Sequence, residues 1–170
     1  NITIDGTEID LSSGDLTVDV AGDITLDAGG GDIRFDAGGS EYGKINLSGN
    51  NLNIHSSIND ADIVFKGEDN SSTITALTLD MSAAGAATFN AGATFGGALL
   101  PAADDTHDLG SSSKQWRDIY TGDINLNNTK TRDNEVDGSR GSWTIQEGSD
   151  DLFLLNRLNG KKYKFNLTEV

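Results

Sequence analysis

From Gly14 to Gly39 the chain reads GDLTVDVAGDITLDAGGGDIRFDAGG, in which an apolar residue, any residue and a second apolar residue are followed by Asp and a small-residue break. Leu16-Thr17-Val18 and Ile24-Thr25-Leu26 alternate with period two, which predicts short strands with aliphatic side chains on one face and Thr and Asp on the other. The flanking Gly-Asp and Ala-Gly-Gly offer positive-φ positions and side chains that bond their own backbone, so each strand is expected to end in a turn. The first apolar residues of successive pairs are Ile2, Ile9, Leu16, Ile24, Ile33, Ile45, Leu52, Ile63 and Ile74, with steps that vary from 7 to 12. Apolar positions at i and i+2, with Gly or Asn every few residues, fit no helical stripe.

Four segments follow from the pattern. Residues 1–82 are a short-strand β repeat, and 83–103 are an Ala/Gly-rich connector in which Ala-Thr-Phe recurs and Pro101, the single proline, marks a boundary. Residues 104–141 form a second connecting module. Within it Ser111-Ser112-Ser113 offers an N-cap, and Trp116, Ile119 and Tyr120 stand at helical spacing, so a short helix is expected near 111–120. Residues 142–170 predict a three-stranded antiparallel meander, with Asn159-Gly160 as a two-residue hairpin turn between the last two strands.

Composition sharpens this picture. Only 35% of the 170 residues are hydrophobic, 6% are aromatic, and 21 are glycine, which is poor material for a globular core. Ordering a repeat of about eight residues costs roughly 1–2 kcal/mol per residue, whereas burying two aliphatic side chains returns only about 3–6 kcal/mol. Strands must therefore stack on other strands. A single-chain solenoid needs each strand above one three repeats earlier, and the uneven steps fit that badly. A homotrimer puts identical residues at equal height around one axis whatever the spacing. The expected fold is an all-β, elongated fibrous homotrimer of short-strand repeats, like a triple β-helix or β-prism, closed by the small C-terminal meander. Its core is expected from Ile24, Leu26, Ile33, Phe35, Ile45, Leu47, Ile63 and Phe65, with Trp116, Ile119 and Tyr120 as packing anchors.

The formal net charge is −15, and residues 1–100 carry 15 acidic against 3 basic side chains. Nucleic acid and anionic lipid are poor partners for such a surface. No apolar run approaches the roughly 18 residues of a membrane span, and the absence of cysteine removes disulfides and thiolate sites. The chain opens at Asn1-Ile2-Thr3-Ile4-Asp5, inside the repeat and without an initiator Met, so it is expected to be part of a longer protein.

Leu77-Thr78-Leu79-Asp80-Met81-Ser82 with Gly85-Ala86-Ala87-Thr88-Phe89-Asn90, and Asp108-Leu109-Gly110-Ser111-Ser112-Ser113 with Trp116, Ile119 and Tyr120, resemble segments of tailed-bacteriophage tail fibres. Trp143-Thr144-Ile145-Gln146-Glu147-Gly148 and Asn159-Gly160-Lys161-Lys162-Tyr163-Lys164-Phe165 resemble the ends of virion structural proteins from aquatic phages. The likeness covers Leu77 to Val170. It implies a trimer of identical chains in the virion's tail fibre, joined to other tail proteins through a region before Asn1 and attached to a glycan or protein of the host surface. Many such fibres continue into an autocleaving chaperone domain. Here Asn127-Asn128-Thr129-Lys130-Thr131-Arg132-Asp133 stands in the place of its opening pattern, so no self-cleavage is expected.

Catalytic chemistry has little to stand on. Paired carboxylates would make a glycan depolymerase, but an Asp after nearly every strand is first a turn residue. Ala28-Gly29-Gly30-Gly31-Asp32-Ile33-Arg34-Phe35-Asp36 has the length of a calcium-binding nonapeptide without its order, and that spacing is not sustained. His55 and His107 stand 52 positions apart, and Asp104-Asp105-Thr106-His107-Asp108 reads as a polar turn. Neither a cofactor nor a metal is expected, and no enzymatic activity. Trp143, Arg157 and Tyr163 are the candidate receptor contacts, because an aromatic and a guanidinium can stack on and bond to sugar; core packing is their competing role. A capsid or collar fibre, and a monomeric bacterial surface β-solenoid binding calcium or glycan, are the alternative readings.

Overall fold

The structure, a computed structural model, describes Ile9 and residues 11–169; the expected strand at Ile2 lies outside the described residues. Ten strands form three separate antiparallel sheets, and no helix occurs among the described residues. The first sheet comprises β1 (Asp32–Ala37), β2 (Ser40–Ser48) and β3 (Asn51–Ser56), in that order. The second comprises β4 (Ile63–Asp69), β5 (Ser72–Asp80) and β6 (Ala86–Phe89). The third contains β7 (Ile124–Asn127), β8 (Ser142–Glu147), β9 (Leu152–Asn156) and β10 (Lys162–Lys164), ordered β10-β9-β8-β7. The chain divides into two compact units, Asn1–Thr94 with the first two sheets and Phe95–Val170 with the third.

This arrangement corrects the expected triple β-helix or β-prism. No sheet closes or coils, because the turns reverse the chain at once. Gly38-Gly39 joins β1 to β2 with φ of 57° and 80°, and Asn70-Ser71 joins β4 to β5 with φ of 49° and 63°. Two successive left-handed residues make the tight turn whose twist matches an antiparallel hairpin. Gly49, at φ 59°, opens the two-residue link from β2 to β3. A coil would need wider corners that carry the chain onward.

Three local expectations also change. Leu16–Val18 and Ile24–Leu26 are not strands: neither segment finds a ladder partner among the described residues. The serine run at 111–113 closes a tight turn instead of capping a helix: Ser111 and Lys114 exchange backbone bonds of 2.9 and 3.2 Å, and Ser111 Oγ accepts from Lys114 N at 3.1 Å. The last hairpin spans 157–161 rather than two residues, because Asn156 N donates to Lys161 O at 2.9 Å while Gly160 N donates back to Asn156 O. The meander gains a fourth strand, as β7 pairs Ile124 with Ile145 and Leu126 with Trp143.

Every sheet is apolar on one face. In the first, Ile33, Ile45 and Ile54 stand in one cross-strand row, Leu47 pairs Leu52, and Phe35 continues the face. In the second, Ile63, Leu79 and Ala87 form one row and Phe65, Leu77 and Phe89 another. Nothing covers these faces within the described residues: no hydrophobic side chain is fully buried, and Leu52 remains 75% exposed. Expected core residues Ile33, Phe35, Ile45, Leu47, Ile63 and Phe65 lie on them, whereas Ile24 and Leu26 sit exposed outside any strand.

The opposite face of the first sheet is ionic. Lys44 Nζ lies 3.1 Å from Asp32 Oδ2, and Arg34 Nε lies 2.6 Å from Glu41 Oε2. A bulge between Phe35 and Asp36 brings Glu41 into this group. The Ser57 hydroxyl, and then Arg34 and Lys44, hold the Glu41 carboxyl below its ordinary value against an opposing effect of desolvation.

Gly43 faces the backbone of His55 so closely that an added Cβ would stand 2.8 Å from its carbonyl oxygen. Gly43→Ala should separate β2 from β3 and cost about 1–3 kcal/mol, read as a lower denaturation midpoint at fixed protein concentration; an unchanged midpoint refutes the close approach. Because folded Glu41 titrates below the unfolded chain, its contribution is present at neutral pH and disappears as pH falls through the depressed folded value. Glu41→Gln should therefore flatten the drop in melting temperature between neutral pH and about pH 3; an acid limb as steep as the parent's would contradict it.

Candidate functional site

The third sheet carries the three candidate receptor contacts, but on opposite faces. Strand alternation and register put Trp143, Ile145, Leu154 and Tyr163 on one side, with Ile124 and Leu126. There the Trp143 and Tyr163 rings lie 5.7 Å apart, tilted by 44°. Arg157 belongs to the other side. Its Nε donates to Thr144 Oγ1 at 2.8 Å, and Thr144 Oγ1 donates to Asn125 Oδ1 at 2.6 Å. Thr144 is fully buried at the centre of β8, between Asn125 on β7 and Leu155 on β9. Arg157 therefore ties the final hairpin loop to the middle of the sheet and stands apart from the aromatic pair.

A different guanidinium reaches the hollow beside Trp143. The long link between β7 and β8 folds back on itself: Gly141 N donates to Asn128 Oδ1 at 2.6 Å, and Asn134 N donates to Ser139 O at 3.1 Å. The Asn134 side chain accepts from Val136 N and Asp137 N and donates to Ser139 Oγ at 2.9 Å. The Ser139 backbone amide, its hydroxyl and Asn134 hold the Asp137 carboxyl below its ordinary value. Arg140 Nε lies 2.7 Å from Asp133 Oδ1. This loop and the ends of β7 and β8 enclose about 470 Å³, lined by Trp143, Asn128, Arg132, Asn134 and Asp105 among others. The indole lies back over Gly141, where a Cβ would come within 2.9 Å of its Nε1.

Asp105 holds this end of the loop, its carboxylate forming an ion pair with Arg132 Nε at 3.2 Å and accepting from the Thr131 hydroxyl at 2.7 Å. The turn at 104–108 thus serves to hold a loop. An aromatic ring, four asparagine amides and a guanidinium around one hollow suit a ligand rich in hydroxyls: the ring offers an apolar face to stack on, and the polar groups both donate and accept. The Asn run and the charges of 127–142 were visible in the sequence, but nothing in their spacing showed the loop returning to Trp143. Of the packing anchors, Trp116 and Ile119 line a smaller hollow with Gly110 and Ser111, and Tyr120 is 93% exposed.

No family model, no curated protein and no solved structure matches the chain.

Thr144→Val preserves shape while removing the hydroxyl that joins Asn125 to Arg157. It should cost about 1 kcal/mol and release Arg157, seen as loss of its slowly exchanging Nε–H in NMR spectra. A variant with parental stability and an unchanged Arg157 signal would remove this bond from the account.

Proposed function

We propose that the chain is a structural and adhesive component of a tailed-phage tail fibre, assembled with two identical chains, that attaches the virion to a host surface without catalysing a reaction. The uncovered apolar face on each of the three sheets carries the reading. Rows of exposed apolar side chains on sheet faces are the kind of surface that meets other polypeptide. Further copies of the same chain supply matching faces, and threefold symmetry brings identical apolar positions together at one axis.

The order of the tail-fibre-like segments from Leu77 to Phe165 supports the virion assignment. The strongly acidic composition, with a net charge of −15, keeps assembled particles apart and turns away nucleic acid. The hollow at Trp143 is the contact for a host glycan. Repeated on three chains, weak sugar contacts sum to durable attachment.

Light scattering in native solution should return about three times the chain mass of 17.9 kDa. Leu47→Asp puts a charge on an already exposed position of the apolar face, which an isolated chain would tolerate and an interface would not. It should reduce the measured mass towards that of one chain, while Asp36→Asn leaves it unchanged. A parental protein that is folded and monomeric, or a Leu47→Asp variant that assembles normally, would defeat the proposal.

A further inference from the structure

Among the described residues six strands stand at sheet edges: β1 and β3, β4 and β6, β7 and β10. An open edge presents unpaired backbone groups, and proteins blunt it with bulges, charges or brevity. β1 carries the bulge between Phe35 and Asp36 beside Arg34, and β4 has one between Phe65 and Lys66, followed by Glu68 and Asp69. β6 and β7 are four residues long, and β10 is three, two of them lysines. β3 has none of these devices. Its six residues, Asn51–Ser56, keep an unbroken register with β2 and hold no ionisable group but the His55 imidazole.

The free edge of β3 opens into a groove of about 960 Å³. Five successive residues, Leu52 to Ser56, line it, whereas a hollow on one face of a strand would be lined by every second one. The phase of the hydrogen bonds shows which groups point there. Ser57 N donates to Tyr42 O at 3.0 Å, so alternation commits the backbone of Asn53 and His55 to β2 and turns the N–H and C=O of Leu52 and Ile54 outward. Leu47, opposite Leu52, agrees with this phase: its N donates to Gly31 O at 3.1 Å, away from β3. Ile58, Ile63 and Met81 complete the lining, and Met81 N is held by Asp62 Oδ1 at 3.2 Å. An unpaired strand edge beside apolar side chains is the setting for a further strand.

The chain itself contains a strand-like run without a partner. Leu16-Thr17-Val18-Asp19-Val20 alternates over five residues, lies outside any ladder, and leaves Leu16 60% and Val18 58% exposed. No hydrogen bond reaches its backbone among the described residues, and within one chain it does not pair with β3. We propose that the β3 edge receives Leu16–Val20 of a second copy of this chain as an added antiparallel strand, with Val18 opposite Ile54. In that register Leu16, Val18 and Val20 join the face of Leu52 and Ile54, while Thr17 and Asp19 stand opposite His55 and Asn53. The inference rests on the proposed assembly of identical chains and names the contact between them. That contact is heterologous, a segment of one chain on the edge of the next, and at three copies the ring closes.

The chain has no cysteine, so a Val18→Cys/Ile54→Cys double variant treated with a short bismaleimide reports the contact directly. On a denaturing gel the double variant should run as linked dimers and trimers, and each single variant as one chain. Val18→Pro removes a ladder donor from a segment outside every sheet, so it should leave circular dichroism unaltered. The Leu52 and Ile54 amides should exchange with solvent roughly tenfold more slowly in the parent than in this variant. Absent linkage, linkage confined within one chain, or equal exchange of both amides in parent and Val18→Pro would each overturn the proposal. The two readings fail separately: a trimeric mass without linkage keeps the fibre and rejects this contact, while linkage in a protein of dimeric mass keeps the contact and rejects the threefold fibre.

Discussion

A sheet with one apolar face that no helix or second sheet covers among the described residues governs this protein. In each unit the strands satisfy their backbone bonds by antiparallel pairing, yet the side-chain face that pairing creates stays in water. Backbone hydrogen bonds contribute little net stability, because the unfolded chain makes equivalent bonds to water. Burial of apolar area has to supply the driving force. With three separate faces and only 35% hydrophobic residues, a single chain has little material of its own to provide it.

The same constraint explains where polar interactions appear. On the face of the third sheet opposite Trp143, the one fully buried residue among the described residues is a threonine, hydrogen-bonded to Asn125 and Arg157 beside Leu155. On the first sheet, Arg34, Lys44, Asp32 and Glu41 tile the face away from the aliphatic rows. Charged pairs and uncharged rows thus segregate to opposite faces of the first sheet. The two hollows differ in their linings: one combines an aromatic ring with amides and Arg132, and the other joins Lys44, amides and His55 to Leu52, Ile54 and Ile63.

Much of this was legible in the residues. Period-two alternation identified Ile33, Phe35, Ile45, Leu47, Ile63 and Phe65 as members of apolar faces, because side-chain direction in a strand follows from position alone. The same rule overreached at Ile24 and Leu26, which find no partner strand among the described residues. Trp116, Ile119 and Tyr120 matched helical spacing, but Ser111 bonded Lys114 in a local turn first. At the candidate site, Trp143, Arg157 and Tyr163 were named together; the two rings do lie close to one another, whereas Arg157 serves the opposite face. Arg132 and Asn128 were passed over, since the return of a long loop depends on its own hydrogen bonds and leaves no periodic trace.

The amino-acid order alone determined that the repeat and the C-terminal segment are short strands broken by turns, that these strands carry a polar and an apolar face, and that the composition is acidic. These are short-range properties, set by alternation, by glycine and asparagine at the reversals, and by charge. Tertiary structure decided which strands pair, that the result is three open antiparallel sheets rather than a coil, and which side chains meet around each hollow. Pairing depends on the dihedral angles adopted in two-residue turns, and convergence depends on loops that fold back across many residues. Both are long-range outcomes that local pattern permits in more than one form.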